Sequence, residues 1–425
     1  MAQTIKTRSI NGLTHAYLAP EIAYQIGYHL KHVFNCQKLL IGKTLDGPYD
    51  STILSVIHGA KDAGIDVIMT GVVPPVLFSY YTQQQQLFGV LLFVDETNTL
   101  LSRFKFYNAG YELFDHQLKL LTKHLTEPTP RVDLQGQVIE LSPLDLFQNY
   151  QKLYQQLDLE TINLSIAYSQ PAFTPTHYIK EILTSICDEV LTADSLETLK
   201  ESVIQNQCDL GFHFDPFGEK ISVFDHTGNL HHGDHILYLL ATLYKTTKQL
   251  FKNTVVISNM INPGVLKALK DTGIKTARVS HSEADILDKM NQSHYTLAAT
   301  QEGLIVLNPL RNTSDALLSA VIIMRMIQSS KQTLKSLLEF VNLYPEVHLE
   351  YEGVDAAFIQ TKDFTNQVKD LQYQTAYDGV FSVYYEENTQ MLTAYISHHD
   401  QIKLNTYKEV FDGFMQQNRE QTQNA

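Results

Sequence analysis

The segment FDPFGEK (214–220) contains two acidic side chains whose type and spacing suit either metal binding or a turn. Asp215 and Glu219 lie four residues apart, and a Pro-Phe pair stands between them. Magnesium keeps several of its waters and needs few protein ligands, so two carboxylates can contribute to a weak site. The same residues can form a turn that joins two strands, with no metal role. We favour the turn.

Four histidines follow this segment closely and raise the question of a second metal site. They are His226, His231, His232 and His235. The surrounding sequences DHTGNL and GDHILYLL predict a hairpin and then the start of a helix. A histidine pair alone lacks the third ligand and the supporting contacts that a metal site needs. We therefore predict that these histidines lie at the surface.

The composition limits the classes of partner. The chain of 425 residues has 32 Lys plus Arg against 46 Asp plus Glu, a net charge of −14. Such an excess of acid disfavours nucleic acid and anionic membranes as partners. An anionic ligand would need a local basic pocket. We predict no nucleic-acid partner and no membrane partner.

The cysteines and the N-terminal sequence bear on localisation. Cys36, Cys187 and Cys208 lie far apart, which favours neither a disulfide framework nor a thiolate zinc site. The sequence MAQTIKTRSINGL lacks the apolar core of a signal peptide, and no apolar run approaches the roughly 20 residues of a membrane helix. These features predict a cytoplasmic protein.

The elements that must position these residues follow a β-α-β rhythm. In the first third, strands are predicted at LLIG (39–42), DVIMTG (66–71) and FGVLLFV (88–94), with helices between them. The rhythm restarts at NLSIAYS (163–169) and again at NTVVISN (253–259). Alternation of this kind is typical of α/β domains with largely parallel sheets.

The pattern changes after Tyr344 and Pro345. A strand, a helix, two adjacent strands and a closing helix then predict a small α+β domain. The chain is therefore expected to contain three α/β domains over residues 1–158, 159–250 and 251–345, and an α+β domain over residues 346–425.

Several stretches occur in the order found in a known family. They include LAPEIAYQIG (18–27), DLGFHFDPFGEK (209–220), AATQEG (298–303) and GVFSVYYEENTQMLTAYIS (379–397). Over nearly its whole length the chain resembles the α-D-phosphohexomutases, in particular their bacterial phosphoglucosamine mutase and phosphomannomutase branch. The resemblance implies three tandem α/β domains and a C-terminal α+β domain around a central cleft.

The resemblance also implies a reaction. In the family, a phosphorylated serine exchanges its phosphoryl group with a sugar phosphate, while three aspartates hold Mg²⁺. Here Asp95 stands at the serine position and Glu96 at the following histidine, while Lys105 lies in a strand that matches the family. Asp95 could form an aspartyl phosphate, or it could imitate the charge of phosphoserine. The third alternative is a polar loop without a catalytic role.

The other three family loops are altered as well. At the metal loop Asp215 and Glu219 keep the outer positions, Phe217 replaces the central ligand and Lys220 replaces an arginine. The sugar loop has Thr300, Gln301 and Glu302, of which only the glutamine persists. The phosphate loop has Tyr384 for arginine, followed by Glu386, Glu387 and Asn388. Acids at this loop should repel a phosphate, by on the order of 3 kcal/mol for one charge about 5 Å away.

Two hypotheses follow from these substitutions. The leading one is a non-catalytic phosphohexomutase-like protein that binds a protein or a small ligand, with no cofactor expected. Its partner could be a true mutase or another protein, and the resemblance allows a homodimer through the first domain. The alternative is an active sugar-phosphate mutase or phosphotransferase that uses Asp95 and a weak Mg²⁺ site. A third possibility is a sensor that binds a neutral or cationic small molecule.

Overall fold

A computed structural model describes most of the chain and has a mixed α/β fold. The described residues are 3–4, 9–11, 19–46, 50–94, 103–130, 135–157, 161–170, 177–280, 283–386 and 390–423. They form two compact units. We call residues 7–231 with 304–334 the large unit, and residues 1–6, 232–303 and 335–425 the small unit. Among the described residues, no helix is both long and apolar enough to span a membrane.

The helices range from single turns to more than six turns. They are α1 Pro20–Phe34, α2 Asp50–Asp62, α3 Pro75–Gln85, α4 Asp115–His124, α5 Pro143–Gln156, α6 Tyr178–Ile186, α7 Leu196–Gln205, α8 Gly233–Thr246, α9 Pro263–Asp271, α10 Glu283–Ser293, α11 Ala316–Ser330, α12 Leu334–Leu337, α13 Ala356–Ile359, α14 Lys362–Thr375 and α15 Gln401–Gln423. A short 3₁₀ turn, Phe251–Asn253, precedes the strand at Thr254.

The strands are mostly short. They are β1 Gln3–Thr4, β2 Ser9–Asn11, β3 Lys38–Lys43, β4 Asp66–Val72, β5 Phe88–Phe93, β6 Arg103–Asn108, β7 Tyr111–Glu112, β8 Val138–Glu140, β9 Ile162–Ser169, β10 Cys187–Ala193, β11 Leu210–Phe214, β12 Ile221–Asp225, β13 Leu230–His231, β14 Thr254–Ser258, β15 Lys275–Val279, β16 Leu297–Ala299, β17 Ile305–Leu307, β18 Glu346–Tyr351, β19 Gly379–Glu386 and β20 Met391–His398.

The large unit contains two sheets. The first has the strand order β2-β6-β5-β3-β4-β8, with β7 paired to β6. Strands β3, β4, β5 and β8 run parallel, and β6 returns antiparallel beside β5. All six residues of β5 are buried, as expected for an interior strand of a sheet covered on both faces. The second sheet has the order β10-β9-β11-β12-β13 and ends in an antiparallel hairpin of β11 and β12.

Helices α1 and α2 pack against each other through two glycines. A Cβ atom added at Gly27 would lie 2.0 Å from the carbonyl oxygen of Val56, and one added at Gly59 would lie 2.0 Å from that of Tyr24. Only residues without a side chain allow the two backbones to approach this closely. The contact fixes α1 on the first sheet.

The small unit also contains two sheets. In one, β14 lies between β15 and β16, and all three strands are parallel. The other has the order β1-β19-β20-β18, in which β18, β20 and β19 are antiparallel neighbours. Alternate residues of β19 and β20 enter a core with α14 and α15, which includes Phe364, Phe381 and Phe411.

The predicted α/β fold class is confirmed. The segments LLIG, DVIMTG and FGVLLFV lie within β3, β4 and β5, and NLSIAYS and NTVVISN correspond to β9 and β14. Helix α2, one of the helices expected between these strands, spans Asp50–Asp62. The four domain boundaries remain predictions.

Candidate functional site

The position that matches the family serine follows β5 directly. Asp95 and Glu96 lie outside the described residues, so their predicted roles are not tested by the structure. The strands before and after them are described. Lys105 of β6 pairs with Leu91 of β5. Leu91 lies two residues before Phe93, the last residue of β5.

Lys105 is a buried cation between two carboxylates. Its Nζ atom lies 3.1 Å and 3.3 Å from the two carboxylate oxygens of Glu219 and 3.5 Å from Glu112, and its side chain is only 6% exposed. The ammonium group also lies 5.0 Å from the centre of the Phe93 ring. Two predicted site residues, Lys105 and Glu219, are therefore brought together from distant parts of the sequence. Because both side chains are largely buried, removing one partner of this ion pair should cost more free energy than removing one from a surface ion pair.

Asp215 stabilises the turn that contains it. One carboxylate oxygen accepts hydrogen bonds from the backbone N–H groups of Glu219 and Lys220, both at 2.7 Å, and the other accepts from Phe217 at 3.3 Å. Burial and the charge of Glu219 raise the pKa of Asp215 to about 6. The segment FDPFGEK thus forms the favoured turn, between β11 and β12.

Phe217 lies between Asp215 and Glu219 in the sequence. Its ring centroid lies 4.2 Å from that of Phe93, the last residue of β5. An aromatic contact therefore joins the turn to the strand that leads to Asp95. Lys220, the residue at the family arginine position, is exposed, and its backbone pairs with Leu304.

Gly218 is required at the tip of the turn for two separate reasons. It has φ +72°, and a Cβ atom there would lie 2.0 Å from the hydroxyl oxygen of the buried Tyr178. We expect Gly218→Ala to lower the free energy of unfolding by about 2–4 kcal/mol, the sum of backbone strain and overpacking. Gly71→Ala is the matched control, because Gly71 has φ +69° with no atom within 4 Å. Urea unfolding of both variants separates the clash from the strain, and equal losses would contradict the clash.

A buried ionic cluster supports the large unit near this turn. Arg311 is fully buried, and its Nε atom lies 3.0 Å from a carboxylate oxygen of Asp315. Nη2 of Arg311 donates to the carbonyl oxygen of Val76 at 3.1 Å and to Oγ of Ser79 at 2.8 Å, and the hydroxyl of Tyr150 donates to Asp315 at 2.8 Å. Asp315 is also the N-cap of α11, where its side chain accepts a hydrogen bond from the backbone N–H of Leu318. No local pattern in the sequence indicates that Arg311 is buried.

His231 corrects the prediction for the histidines. The sequence analysis expected a surface position, but His231 is buried, and its Nε2 atom lies 3.0 Å from a carboxylate oxygen of Asp225. His231 reaches Asp225 because β13 is the edge strand beside β12 and the side chain of His231 faces inward. His232 is exposed, as expected.

The small unit contains a cavity of about 500 Å³ lined mainly by acids and histidines. The lining residues are His232, Asp234, His235, Met260, Gln301, Glu302, Leu343, Glu346, His348, Glu350, Tyr384 and Thr393. Three of the predicted site residues, Gln301, Glu302 and Tyr384, therefore line one cavity. Thr300 is buried next to them, Glu386 ends β19, and Glu387 and Asn388 lie outside the described residues.

Glu346 organises one wall of this cavity. It accepts hydrogen bonds from Nε2 of Gln301, from Nδ2 of Asn262 and from the hydroxyl of Tyr395, each at 2.8 Å. A strand is predicted shortly after Tyr344 and Pro345, but nothing in its pattern identifies Glu346 as part of a site. The one sequence feature that singles out Glu346 is its position just after the predicted domain boundary.

Asp234 is the most strongly perturbed acid of the cavity. It is 2% exposed, and burial, with smaller contributions from Glu346 and Glu302, raises its pKa to about 8. One of its oxygens accepts from the backbone N–H of Asn262 at 3.2 Å. The cavity therefore holds a carboxyl group that is protonated near neutral pH and that a nearby cation would ionise.

The shifted pKa of Asp234 predicts a pH-dependent stability. In the unfolded chain the pKa of this carboxyl is about 3.8, whereas in the fold the group keeps its proton up to about pH 8. The stability is therefore fully present below pH 4 and falls as the pH rises towards 8, by at most about 1.4 kcal/mol per pH unit. We expect Asp234→Asn to flatten this dependence in thermal unfolding between pH 5 and 8. Asp271→Asn, an exposed change in the same unit, should leave the slope as in the wild type.

Comparison with known proteins agrees with this architecture. Residues 232–344 match the family model described as phosphoglucomutase/phosphomannomutase, alpha/beta/alpha domain III. The chain is 23% identical to a phosphoglucosamine mutase of Clostridium acetobutylicum, over 96% of this chain and 97% of that protein. A phosphoglucomutase/phosphomannomutase family protein of Burkholderia thailandensis has the same fold, with a TM-score of 0.75 at 13% identity, covering 96% of this chain and 95% of that one.

A third comparison bears on magnesium. An Aspergillus fumigatus N-acetylphosphoglucosamine mutase, solved in complex with GlcNAc-6P and magnesium, shares the fold with a TM-score of 0.56 at 9% identity, covering 92% of this chain and 96% of that one. The prediction that no cofactor is expected is wrong for this superfamily, whose members depend on Mg²⁺.

In the arrangement that the structure describes, Asp215 and Glu219 do not form a magnesium site. The carboxylate of Asp215 accepts three backbone N–H groups, and that of Glu219 faces Lys105. Both side chains would have to leave these partners to bind the ion. From the matched domain, the relative that spans nearly the whole chain and the shared fold, we conclude that this protein belongs to the α-D-phosphohexomutase superfamily.

Proposed function

We propose that the protein is an active phosphotransferase of the phosphohexomutase type that acts on an amino-sugar phosphate. The observation that carries this proposal is the buried contact between Lys105 and Glu219. It holds β6, the strand paired with β5, against the turn at the family metal position, and Asp95 comes after β5 in the sequence. The relatives named phosphoglucosamine mutase, which align along most of the chain, support the same reaction class.

Asp95 is the proposed phosphoryl acceptor. One of its carboxylate oxygens attacks phosphorus of a sugar bisphosphate, so that a P–O bond to the protein forms while the P–O bond to the sugar breaks. The sugar oxygen that leaves takes up a proton. In the return step the free hydroxyl of the next sugar monophosphate attacks the aspartyl phosphate and gives up its proton, so that Asp95 is freed and the bisphosphate is formed again. Phosphoryl group and protons balance over the cycle.

Lys105 supplies the positive charge at this site. The ammonium group is nearly excluded from water, but Glu219 and Glu112 neutralise its charge, so it would attract a phosphoryl oxygen once one of these carboxylates moves away. Glu219 and Glu112 hold it in one position, and Phe93 packs against it. Lys105 is thus a candidate to stabilise charge on the transferring group, and Glu219 is a positioning residue.

The chemistry of the small-unit cavity supports an amino sugar as the substrate. Glu302, Glu346 and Glu350 line it beside the protonated Asp234, so a dianionic phosphate is disfavoured there. An ammonium group is instead attracted to the carboxylates, and one carboxylate about 5 Å away stabilises it by on the order of 3 kcal/mol. This cavity is therefore expected to bind an amino sugar more tightly than its neutral counterpart.

A second candidate function is binding without catalysis. In the loop where the family holds a metal, Phe217 packs against Phe93 and the Asp215 carboxylate accepts hydrogen bonds from the backbone. These contacts take the place of a metal ion and so favour binding without catalysis. Such a protein would bind a sugar phosphate or a protein partner without turning it over. Saturable binding of a sugar phosphate by folded protein that has no turnover would support it.

A coupled mutase assay tests the proposed function. Purified protein is assayed with glucosamine 6-phosphate or glucose 6-phosphate, Mg²⁺ and a sugar bisphosphate primer. We expect turnover, with kcat/KM for the amino sugar about 10-fold or more above that for glucose, equivalent to about 1.4 kcal/mol. Asp215→Ala should lose the turnover, which excludes a contaminating mutase. No turnover by folded wild-type protein would contradict the proposal.

A further inference from the structure

A cluster of two histidines and a glutamate lies in the large unit, away from the turn at FDPFGEK in sequence. His29 belongs to α1, His124 is the last residue of α4, and Glu127 lies just beyond it. One possible ligand atom from each side chain lies within 4.8 Å of the other two. We propose that His29, His124 and Glu127 bind a divalent transition-metal ion, with Zn²⁺ as the best fit.

The donor atoms select the class of metal. Two imidazoles and one carboxylate suit Zn²⁺, Co²⁺ or Ni²⁺, whereas Mg²⁺ prefers oxygen ligands and waters. This site is therefore different in chemistry from the magnesium chemistry of the superfamily. Three protein ligands leave a fourth position for water or for His32, whose ring centroid lies 6.4 Å from that of His29.

Zinc binding requires only small movements of the three ligand atoms. Zinc bonds of about 2.0–2.1 Å place tetrahedral ligand atoms roughly 3.4 Å apart. The Nδ1 atom of His124 already lies 2.7 Å from a carboxylate oxygen of Glu127, so these two would separate slightly while His29 approaches. His124 and Glu127 are partly exposed, with side chains 32% and 51% accessible, so they can make this adjustment.

The surroundings of His29 suit a metal ligand. The residue is 3% exposed, and burial lowers the pKa of its imidazole, which favours the neutral form that binds metals. Its Nε2 atom lies 3.0 Å from Oε1 of Gln25, an acceptor that can fix the tautomer of a ligating ring. His124 ends α4, where the carbonyl groups of the helix favour a positive charge.

The ion would connect two elements that are distant in the chain. Helix α1 is fixed to α2 by Gly27 and Gly59, and α4 contacts α1. A metal bound by His29 and by the residues at the end of α4 would join these helices at one point. Binding to the folded state alone raises stability in proportion to the logarithm of the free metal concentration.

The proposal is tested by metal titration of the full-length chain after removal of metals with a chelator. We expect one equivalent of Zn²⁺ to bind, Co²⁺ to give the absorption of a tetrahedral site, and thermal unfolding to shift upwards. His124→Gln should weaken the affinity about 100-fold or more, because it removes a ligand. This variant changes a partly exposed side chain, so it should fold, which circular dichroism verifies.

His58→Gln is the matched control, since His58 is exposed on α2 of the same unit. It should bind Zn²⁺ as the wild type does. Two results would overturn the proposal: no saturable Zn²⁺ binding by the folded wild-type chain, or equal binding by His124→Gln. Because the readout is metal affinity, neither result depends on whether the protein has mutase activity.

Discussion

Replacing Asp95 by Asn is expected to lower mutase turnover on the order of 10³-fold or more. The amide of Asn cannot accept a phosphoryl group to form an acyl phosphate, so the exchange has no covalent intermediate. Binding of the sugar phosphate should persist, because its other contacts are unchanged. The effect should therefore appear in kcat rather than in KM.

The coupled assay of wild type and Asp95→Asn measures this loss. Asp188→Asn is a matched control, because Asp188 is exposed in the same unit, on β10, and should retain wild-type turnover. Lys105→Met should reduce turnover less, since it removes a charge but not the acceptor. Wild-type rates in Asp95→Asn would show that Asp95 has no catalytic role.

The second large effect concerns stability. Removing one partner of the buried pair of Arg311 and Asp315 should lower the free energy of unfolding by about 3–5 kcal/mol. The pair is almost completely buried, with side chains 0% and 1% exposed, so the remaining charge would have no water to replace its partner. Both Arg311→Met and Asp315→Asn are expected to show a loss of this size.

A double-mutant cycle distinguishes the ion pair from simple packing. The variant with both changes should lose much less than the sum of the two single losses, because it leaves no uncompensated buried charge. Urea unfolding can be followed by tyrosine fluorescence, since the chain has no tryptophan. Arg325→Met is the control at an exposed arginine of α11 and should cost less than about 1 kcal/mol. Additive single losses would contradict a coupled pair.

Much of the fold could be predicted from the sequence because strands and helices have short-range signals. The apolar run FGVLLFV predicted β5, and all six residues of that strand are buried. The turn favoured for FDPFGEK is present in the structure, and Asp215 and Gly218 form it. These features depend on residues close together in the chain.

The contacts of the sites were harder to predict, because they join distant residues. Lys105 and Glu219 were both identified by resemblance, but their ion pair depends on how β6 lies against the β11–β12 turn. Arg311 lies two residues after Pro309 in a stretch that predicts a loop, and nothing local indicates that it is buried. His29 and His124 are ninety-five positions apart, so only the packing of α1 and α4 brings them together.

The most direct measurement of the central claim is a labelling experiment at Asp95. Folded protein is incubated with a sugar bisphosphate that carries a radioactive phosphoryl group, then denatured and digested. We predict label in the peptide that contains Asp95, its release by hydroxylamine, and its absence in Asp95→Asn. No label in folded wild-type protein, or label that resists hydroxylamine, would contradict an acyl-phosphate mutase.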